Sequence, residues 1–437
     1  MPDGSADIRA RGLVGKARYA VGERPPGTPY SYHIDARFTQ NSGAGQRVKE
    51  RTCTANLHPQ GSMRARRRES ARSAGAGQPA RSSRYRDLVN PFAPVTIFSD
   101  DEIESMHVAA LGILERQGLR VCRGDAQLAD CFAMLRIAHG IDTETFEREA
   151  RCYAICNTNS PLQLDLPMTD GIVSFARAGQ LMIVTPFTLA GAMAPVTIAG
   201  ALTLAHAEAL FGITLSQIVR PGAPVMYGSF TSNVDMKSGS PAFGTPEYTK
   251  AAFGAGQLAR RIGVPWRCSS ATAANAPDAQ AAYESQMSLW GALLGGCHFI
   301  LHAAGWLEGG LTASYEKFVL DVEMLQMFAE LFQPVAATPE EIGLDAVAEV
   351  GPGGHFFAAA HTMQRYRDAF YTPLVSDWRN FGAWRDDGAH TATERAGVLA
   401  RRTLETFQPP PLDPSVHEEL DAFARCRREA GGASPVS

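Results

Sequence analysis

Aromatic side chains cluster in the segments that follow short β-rich runs of this sequence. Taken singly, each ring is more often a packing residue than part of a binding site. Several rings around one pocket could nevertheless bind a cation through their π faces, without any hydrogen bond. The aromatic candidates are Phe187, Phe230, Phe243, Trp306 and Tyr315.

Polar candidates occupy the same segments, and each also allows a structural interpretation. Glu308, which two glycines follow, could face a cation or cap the next helix. Arg220 could clamp a carboxylate or act as the ordinary cation of a helix C-terminus. His302 at a strand end, His355 in a glycine-rich turn and Asn159 could each contact a substrate or serve the fold alone.

Other kinds of catalytic site find little support in the sequence. No Ser-His-Asp or Cys-His set stands out, and the eight cysteines show no paired metal spacing, so we predict reduced thiols and no metal centre. An unrelated barrel lyase or isomerase would need a metal or a Schiff-base lysine at a strand end. Lys237 and Lys250 fall in a loop and on a helix, so this alternative is disfavoured.

The elements that must position these residues form a regular alternation of β-rich runs and helical patterns, with a period of about 30–40 residues. Such alternation predicts parallel strands joined by right-handed crossovers, as in a TIM-type (β/α) barrel. A doubly wound sheet is the competitor, but no G-x-G-x-x-G follows any strand. The runs lie at 153–156, 181–184, 224–227, 264–268 and 297–302, and the helices at 168–178, 200–216, 246–261, 278–294 and 314–332.

Composition divides the chain of 437 residues into unlike parts. Residues 1–86 carry 17 Lys and Arg against 6 Asp and Glu, although the net charge of the whole chain is −4. We expect a disordered basic leader there, with a nucleic-acid-binding arm as the alternative. The remaining divisions are a helical segment at 87–135, a partial barrel with C-terminal helices at 136–425 and a flexible tail at 426–437.

The hydropathy of the sequence argues against a membrane protein. The mean hydropathy is −0.14, and no apolar run reaches the length of a membrane span. The first residues also lack the apolar segment of a secretory signal. We therefore expect a cytoplasmic location, with neither membrane nor nucleic acid as a partner.

Six motifs in the strand-to-helix segments make the sequence similar to a known family. Together they resemble the trimethylamine methyltransferase (MttB-like) family, densely over residues 150–425 and more loosely over 90–125. The motifs are Asn-Ser-Pro at 159–161, Pro-Phe-Thr-Leu-Ala-Gly-Ala-Met at 186–193, Val-Arg-Pro-Gly-Ala-Pro at 219–224, Phe-Gly-Thr-Pro-Glu at 243–247, His-Ala-Ala-Gly-Trp-Leu-Glu-Gly-Gly-Leu at 302–311 and Val-Gly-Pro-Gly-Gly-His-Phe at 350–356.

The resemblance implies a TIM-type barrel that transfers a methyl group from a methylated amine to the cobalt of a corrinoid. The corrinoid is carried by a separate small protein, so no tightly bound cofactor is expected on this chain. All residues here are standard, which resembles the branch without pyrrolysine, where quaternary amines such as glycine betaine are the known substrate type. A homo-oligomer is also an expectation.

For such a substrate, the candidates divide into two sets. His302 and Glu308 are the expected catalytic pair, with Glu308 opposing the cation. A quaternary nitrogen has no N–H, so ring faces must recognise it. The expected substrate-binding residues are Asn159, Phe187, Arg220, Phe230, Phe243, Trp306, Tyr315 and His355.

The chain is short for this family. About five strand–helix units can be found where a complete barrel needs eight. The stretch at 124–127 runs almost directly into a segment that lies much further along in family members, which indicates an internal deletion and an incomplete barrel. A truncated, inactive remnant or an interaction protein of the same fold is therefore the alternative function.

Overall fold

The computed structural model describes residues 88–117, 120–121 and 127–431. The predicted leader, the shortened connection at 124–126 and the end of the predicted tail lie outside these residues. The strands are β1 (Arg120–Val121), β2 (Tyr153–Asn159), β3 (Gln163–Leu164), β4 (Leu181–Ala190), β5 (Val225–Gly228), β6 (Phe230–Val234), β7 (Pro241–Ala242), β8 (Trp266–Ser269), β9 (Phe299–Leu301), β10 (Trp306–Leu307) and β11 (Thr312–Ala313).

The α-helices include the five that follow the predicted strands, and their ends agree closely with the sequence pattern. They are α1 (Asp100–Arg116), α2 (Gln127–His139), α3 (Thr143–Arg148), α4 (Leu166–Arg177), α5 (Ile198–Val219), α6 (Pro246–Arg261), α7 (Ala279–Leu294), α8 (Tyr315–Leu331), α9 (Pro339–Ile342), α10 (Leu344–Val350), α11 (Ala360–Arg365), α12 (Phe381–Asp386), α13 (Ala392–Thr406) and α14 (Pro414–Glu429). Local signals set many of these starts. Ser99 and Glu102, for example, form a reciprocal capping box at α1.

The strands β1 to β9 form one sheet whose main path runs β1-β3-β2-β4-β5-β8-β9. In this path β2, β4, β5, β8 and β9 are mutually parallel, and each leads into a helix. The strand β6 extends the line of β5 and pairs in parallel with the second half of β4. The predicted α/β class with a parallel sheet is therefore confirmed, and the described residues contain the five expected strand–helix units.

The helices cover one face of the parallel sheet. Cys156 pairs in register with Val184, Val184 with Tyr227, and Tyr227 with Trp266, so the four side chains share that face. All four are buried in clusters formed with residues of α1 and α4 to α7. A doubly wound sheet would carry helices on both faces, whereas cover on one face is typical of a barrel.

The sheet curves so that the first and last of its five parallel strands approach each other. The ring of Tyr153 on β2 lies 5.2 Å, centroid to centroid, from the ring of Phe299 on β9. Among the strands that the structure describes, no hydrogen-bonded pairing joins β2 to β9. Closure into a complete TIM-type barrel stays a prediction.

The long apolar helix α5 belongs to the core. By length and composition it could cross a membrane, but it packs between β4 and α1, and many of its side chains are buried there. An apolar helix of this kind, with little polar surface in any direction, is expected at the centre of a large domain.

Two of the segments that follow predicted β-rich runs are themselves strand, where the sequence pattern had ended the strands at residues 156 and 184. β2 continues through Asn159, and β4 continues through Ala190, so Phe187 lies within a paired strand. The second half of β4 finds backbone partners in both β2 and β6. Only the tertiary arrangement supplies those partners, and small residues and threonines fit a buried strand as easily as a loop.

The C-terminal helices are attached to the sheet domain by polar contacts, one buried and one half-buried. Glu323 on α8 accepts hydrogen bonds from the backbone N–H groups of Leu374 and Val375 and from Ser376, which holds the segment before α12. Arg427 on α14 donates to Asp130 on α2 at 2.8 Å. The last helix therefore reaches back to the start of the described fold.

Candidate functional site

A group of aromatic rings lies on the inner face of the sheet, opposite the helices, at the carboxyl ends of the strands. Side chains alternate along a strand, so Arg267 lies on this face because Trp266 and Cys268 point into the helix-covered core. Its register partners are Gly228 on β5 and Phe299 on β9. One level further toward the carboxyl ends of the strands, Phe187 and Phe230 are neighbours in register.

Five rings form what we call the ring cluster: Phe187, Phe230, Phe243, His302 and Trp306. Phe230 lies 5.3 Å from Phe187, 4.9 Å from Phe243 and 6.2 Å from His302, measured between ring centroids. Phe230 and Phe243 are buried, whereas the other three rings are half-buried. Parallel strands present their carboxyl ends on the side where (β/α) enzymes place their sites, and this cluster lies there.

His302 is held in an unusual conformation by Trp306. Its backbone φ is +57°, in the left-handed region, and its ring stacks on the indole with centroids 3.3 Å apart. Nδ1 lies 3.4 Å from Nη2 of Arg267, and a guanidinium can only donate, so Nδ1 is the acceptor and Nε2 carries the proton. Burial, reinforced by the Arg267 charge, lowers the pKa of His302 to about 3, and the imidazole is neutral at physiological pH.

Glycine residues let the Glu308 segment lie flat against the rings. A Cβ on Gly310, at φ +99°, would lie 2.4 Å from the Trp306 ring, and a Cβ on Gly309 would lie 2.8 Å from Phe243. Backbone bonds from Glu308 to Ala274 and from Gly309 to Thr272 tie this segment to the end of β8. Glu308 itself is exposed at the rim, where Thr312 donates to its carboxylate at 3.2 Å.

A buried ion pair supports the loop between His302 and Trp306. Lys317 Nζ lies 2.6 Å from Asp321 Oδ2, and the two side chains are only 3% and 4% exposed. The same carboxylate oxygen accepts the backbone N–H of Gly305 at 2.8 Å, while Lys317 also donates to Ser285. Both charges therefore act on the backbone that carries the Trp306 side of the ring cluster.

A second buried carboxylate fixes the end of β2. Glu208 on α5 accepts hydrogen bonds from Thr158, from Ser160 at 2.7 Å and from the backbone N–H of Leu162 at 2.7 Å. Burial raises the pKa of Glu208, although its three donors favour the ionised form. The sequence analysis missed this residue, although a signal existed. Glu208 is the sole carboxylate in α5, and apart from His206 the other side chains of this helix are uncharged.

The remaining predicted site residues lie outside the contacts that define the ring cluster. Asn159 is the register partner of Phe187, but its Oδ1 accepts the N–H of Asp165 in the turn before α4. Arg220 is the C-cap residue of α5, but its guanidinium donates to the backbone carbonyls of Arg177 and Glu147, at the ends of α4 and α3, a structural role different from the one weighed above. Tyr315 is exposed at the first turn of α8, and the exposed His355 contacts Phe357.

Arg267 is the main residue that the sequence analysis missed. It is 2% exposed, lies with its Cζ 6.0 Å from the centroid of Phe230, and burial lowers its pKa. An arginine inside an apolar run such as 264–268 is itself a signal, since arginine is almost never fully buried without a partner. Within the described residues no group of three or more His, Cys, Asp or Glu side chains could hold a metal ion.

Comparison with known proteins shows which family the chain resembles. The chain is 37% identical over 280 residues to a glycine betaine methyltransferase of Desulfitobacterium hafniense (strain Y51), covering 64% of this chain and 58% of that protein. It is 31% identical over 285 residues to trimethylamine methyltransferase MttB2 of Methanosarcina mazei, covering 65% of this chain and 57% of that protein.

A third relative is trimethylamine methyltransferase MttB of Desulfitobacterium hafniense (strain DSM 10664 / DCB-2), 34% identical over 61% of this chain and 53% of that protein. The chain thus spans a little more than half the length of these relatives. The family model for trimethylamine methyltransferase (MTTB) matches residues 121–432, most of the chain and all the elements of the site. On that match, the chain belongs to the trimethylamine methyltransferase (MTTB) family.

Proposed function

We propose that this protein removes a methyl group from a tertiary or quaternary amine of the glycine betaine type and delivers it to the cobalt of a corrinoid on a separate protein. The observation that supports this most is the ring cluster at the carboxyl edge of the parallel sheet. It occurs in a chain 37% identical to a protein named glycine betaine methyltransferase. Ring faces are the chemistry that a nitrogen without N–H requires.

The residues of this chain act by binding and positioning. Phe187, Phe230, Phe243 and Trp306 would hold the methylated ammonium by its methyl groups and exclude water, with one methyl group directed to the open edge. Glu308 at the rim would oppose the positive charge of the bound amine. Holding the reacting bond in line with its acceptor supplies most of the catalysis that such a transfer needs.

The electron balance of the transfer explains why the site needs no acid or base. The carbon–nitrogen bond breaks with its electron pair left on nitrogen, so a quaternary amine departs as a neutral tertiary amine. A tertiary amine departs as a neutral secondary amine when it is bound in its protonated form. The corrinoid on the partner protein, in its reduced state, would supply the electron pair for the new bond to the methyl group. No proton moves, which agrees with a neutral His302 that serves as a ring and hydrogen-bond acceptor.

A carrier-borne corrinoid has to approach the rim of this edge. The rim offers a low, glycine-rich surface at Gly309 and Gly310, followed by Leu311, whose side chain is 83% exposed. An exposed apolar side chain beside flat backbone fits the approach of a large planar group better than the capture of a small ion. The carrier protein is therefore proposed as the partner at this face.

The test is a methyl-transfer assay with the full chain. Purified protein, a corrinoid protein and glycine betaine should yield dimethylglycine, detected by NMR, together with a change in the corrinoid absorbance. Replacing Trp306 by Leu should lower kcat/KM for glycine betaine by at least about tenfold, since a lost cation–π contact in a desolvated site is worth roughly 2 kcal/mol of substrate binding. The matched variant Trp306→Phe keeps a ring and should retain more activity than the leucine variant.

The length of the chain favours one second candidate. Because it spans only 53–58% of the relatives named above, an inactive member that acts as an interaction protein is the alternative. Folded protein that demethylates neither betaines nor methylamines, with a corrinoid carrier that is active with another methyltransferase, would establish that alternative.

A further inference from the structure

The guanidinium of Arg267 is a buried charge without a counter-ion. Its side chain is 2% exposed, and in the described part of the chain no carboxylate forms an ion pair with it and its Nε has no hydrogen-bond partner. A buried charge of this kind destabilises the fold unless it is paired, by several kcal/mol after relaxation. An anion that is not part of the chain would supply the missing counter-charge.

The free donors of Arg267 lie together on one edge. Nε–H and the adjacent N–H of Nη2 point the same way, and Nη2 has only the long 3.4 Å contact to Nδ1 of His302. This edge of a guanidinium matches the two oxygens of a carboxylate in a bidentate pair. Ser269, two residues on along β8 and on the same face, places a hydroxyl 3.3 Å from the same His302 nitrogen.

The ring cluster lies next to this edge. The Arg267 Cζ is 6.0 Å from the centroid of Phe230, and His302 connects the guanidinium to the stacked Trp306. Arg267 also occupies the strand level below the register pair Phe187 and Phe230, toward the interior of the sheet. A ligand whose ammonium contacts the rings would therefore extend inward to the guanidinium.

From this juxtaposition we infer that Arg267 is a specificity-determining residue that binds the carboxylate of a zwitterionic betaine while the ring cluster holds its ammonium. The inference rests on the proposed function and narrows its substrate class. A fixed positive charge in a region of low dielectric repels a simple cation such as choline or tetramethylammonium. A zwitterion gains a charge-assisted, bidentate contact at the same place.

Calorimetric titration with glycine betaine and choline tests the inference, since the two ligands share the trimethylammonium group and only one has a carboxylate. The wild-type protein should prefer glycine betaine. Arg267→Met, which fills a similar space without charge, should weaken the binding of glycine betaine by about 10- to 100-fold, the range expected for a lost hydrogen-bonded ion pair. Choline should bind equally well or more tightly to that variant.

Two further variants keep the experiment decisive. Arg267→Lys retains the positive charge without the paired donors of the guanidinium, so it should retain part of the preference for glycine betaine over choline. This variant also covers the case in which Arg267→Met fails to fold. Arg261→Met removes a surface charge that pairs with Glu104, and it should change neither affinity. Equal weakening of both ligands by the Arg267 variants would show a structural role and overturn the inference.

Because the experiment measures ligand binding and not methyl transfer, its outcomes separate this inference from the proposed function. Wild-type protein that binds both ligands with equal affinity, unchanged in the Arg267 variants, would overturn the role of Arg267 and leave an amine methyltransferase standing. Wild-type protein that binds no methylated amine would overturn the proposed function and the inference with it.

Discussion

Neutralising Asp321 should destabilise the protein far more than neutralising a carboxylate in an exposed ion pair of the same spacing. Asp321→Asn keeps the shape of the side chain but leaves the Lys317 ammonium, 3% exposed, without a counter-charge, with only the neutral amide oxygen and the Ser285 hydroxyl as acceptors. Removing one member of a buried pair costs about 3–5 kcal/mol.

The assay is urea unfolding followed by far-UV circular dichroism, with two matched variants. Glu144→Gln breaks an exposed pair with Arg148 at the same i,i+4 spacing, and exposed pairs of this kind are worth under about 0.5 kcal/mol. The double variant Lys317→Met with Asp321→Leu removes both charges. It should lose only about 1–3 kcal/mol, because the N–H of Gly305 is then left without its acceptor.

The comparison between variants decides the outcome. A loss for Asp321→Asn within about 1 kcal/mol of the loss for Glu144→Gln would refute the reasoning, because it would mean that water reaches Lys317 and relieves its charge. A double variant less stable than Asp321→Asn would refute it as well. In that case the pair would contribute more than its own desolvation, contrary to the behaviour expected of buried ion pairs.

Two further outcomes are expected. Burial holds the pKa of both His206 and His302 at about 3, below the ordinary 6.5, so the folded state binds fewer protons than the unfolded chain below pH 6.5. The free energy of unfolding should therefore keep its full value above pH 6.5 and fall as the pH drops toward 3, less steeply in His206→Gln. A flat profile across this range would contradict the reasoning. In thermal unfolding, Gly310→Ala should be more destabilising than Gly353→Ala by at least about 1 kcal/mol. Both glycines have a positive φ, but only at Gly310 would the new Cβ meet the Trp306 ring, at 2.4 Å. Equal losses of stability would show that the ring moves aside.

The elements of the fold were readable from local sequence. The strands at 153–156 and 181–184 and the helix at 246–261 appear where the pattern predicted them, because caps, apolar periodicity and β-branched runs act over a few residues. The ends of β2 and β4 were not readable. Their last residues are strand because β6 and the neighbouring strands supply hydrogen-bond partners from elsewhere in the chain.

The spatial grouping of the aromatic candidates was readable in part, and for a different reason. Four of the aromatic candidates, Phe187, Phe230, Phe243 and Trp306, come together because parallel strands bring their carboxyl ends to one edge. Arg220 illustrates the opposite case. Its residue type suited a carboxylate clamp, but its place at the end of α5 gives it backbone carbonyls as partners, and nothing local to its sequence distinguishes these two roles.

The sequence by itself determined the alternation of strands and helices, the helix caps and the family motifs, since these depend on residue type and short-range spacing. Only the tertiary structure decided which charged groups are buried: the Lys317–Asp321 pair, the Glu208 carboxylate and the guanidinium of Arg267. Burial depends on contacts between segments far apart in the chain. The energy of a charge depends on that burial, so its role becomes visible only when the strands are assembled.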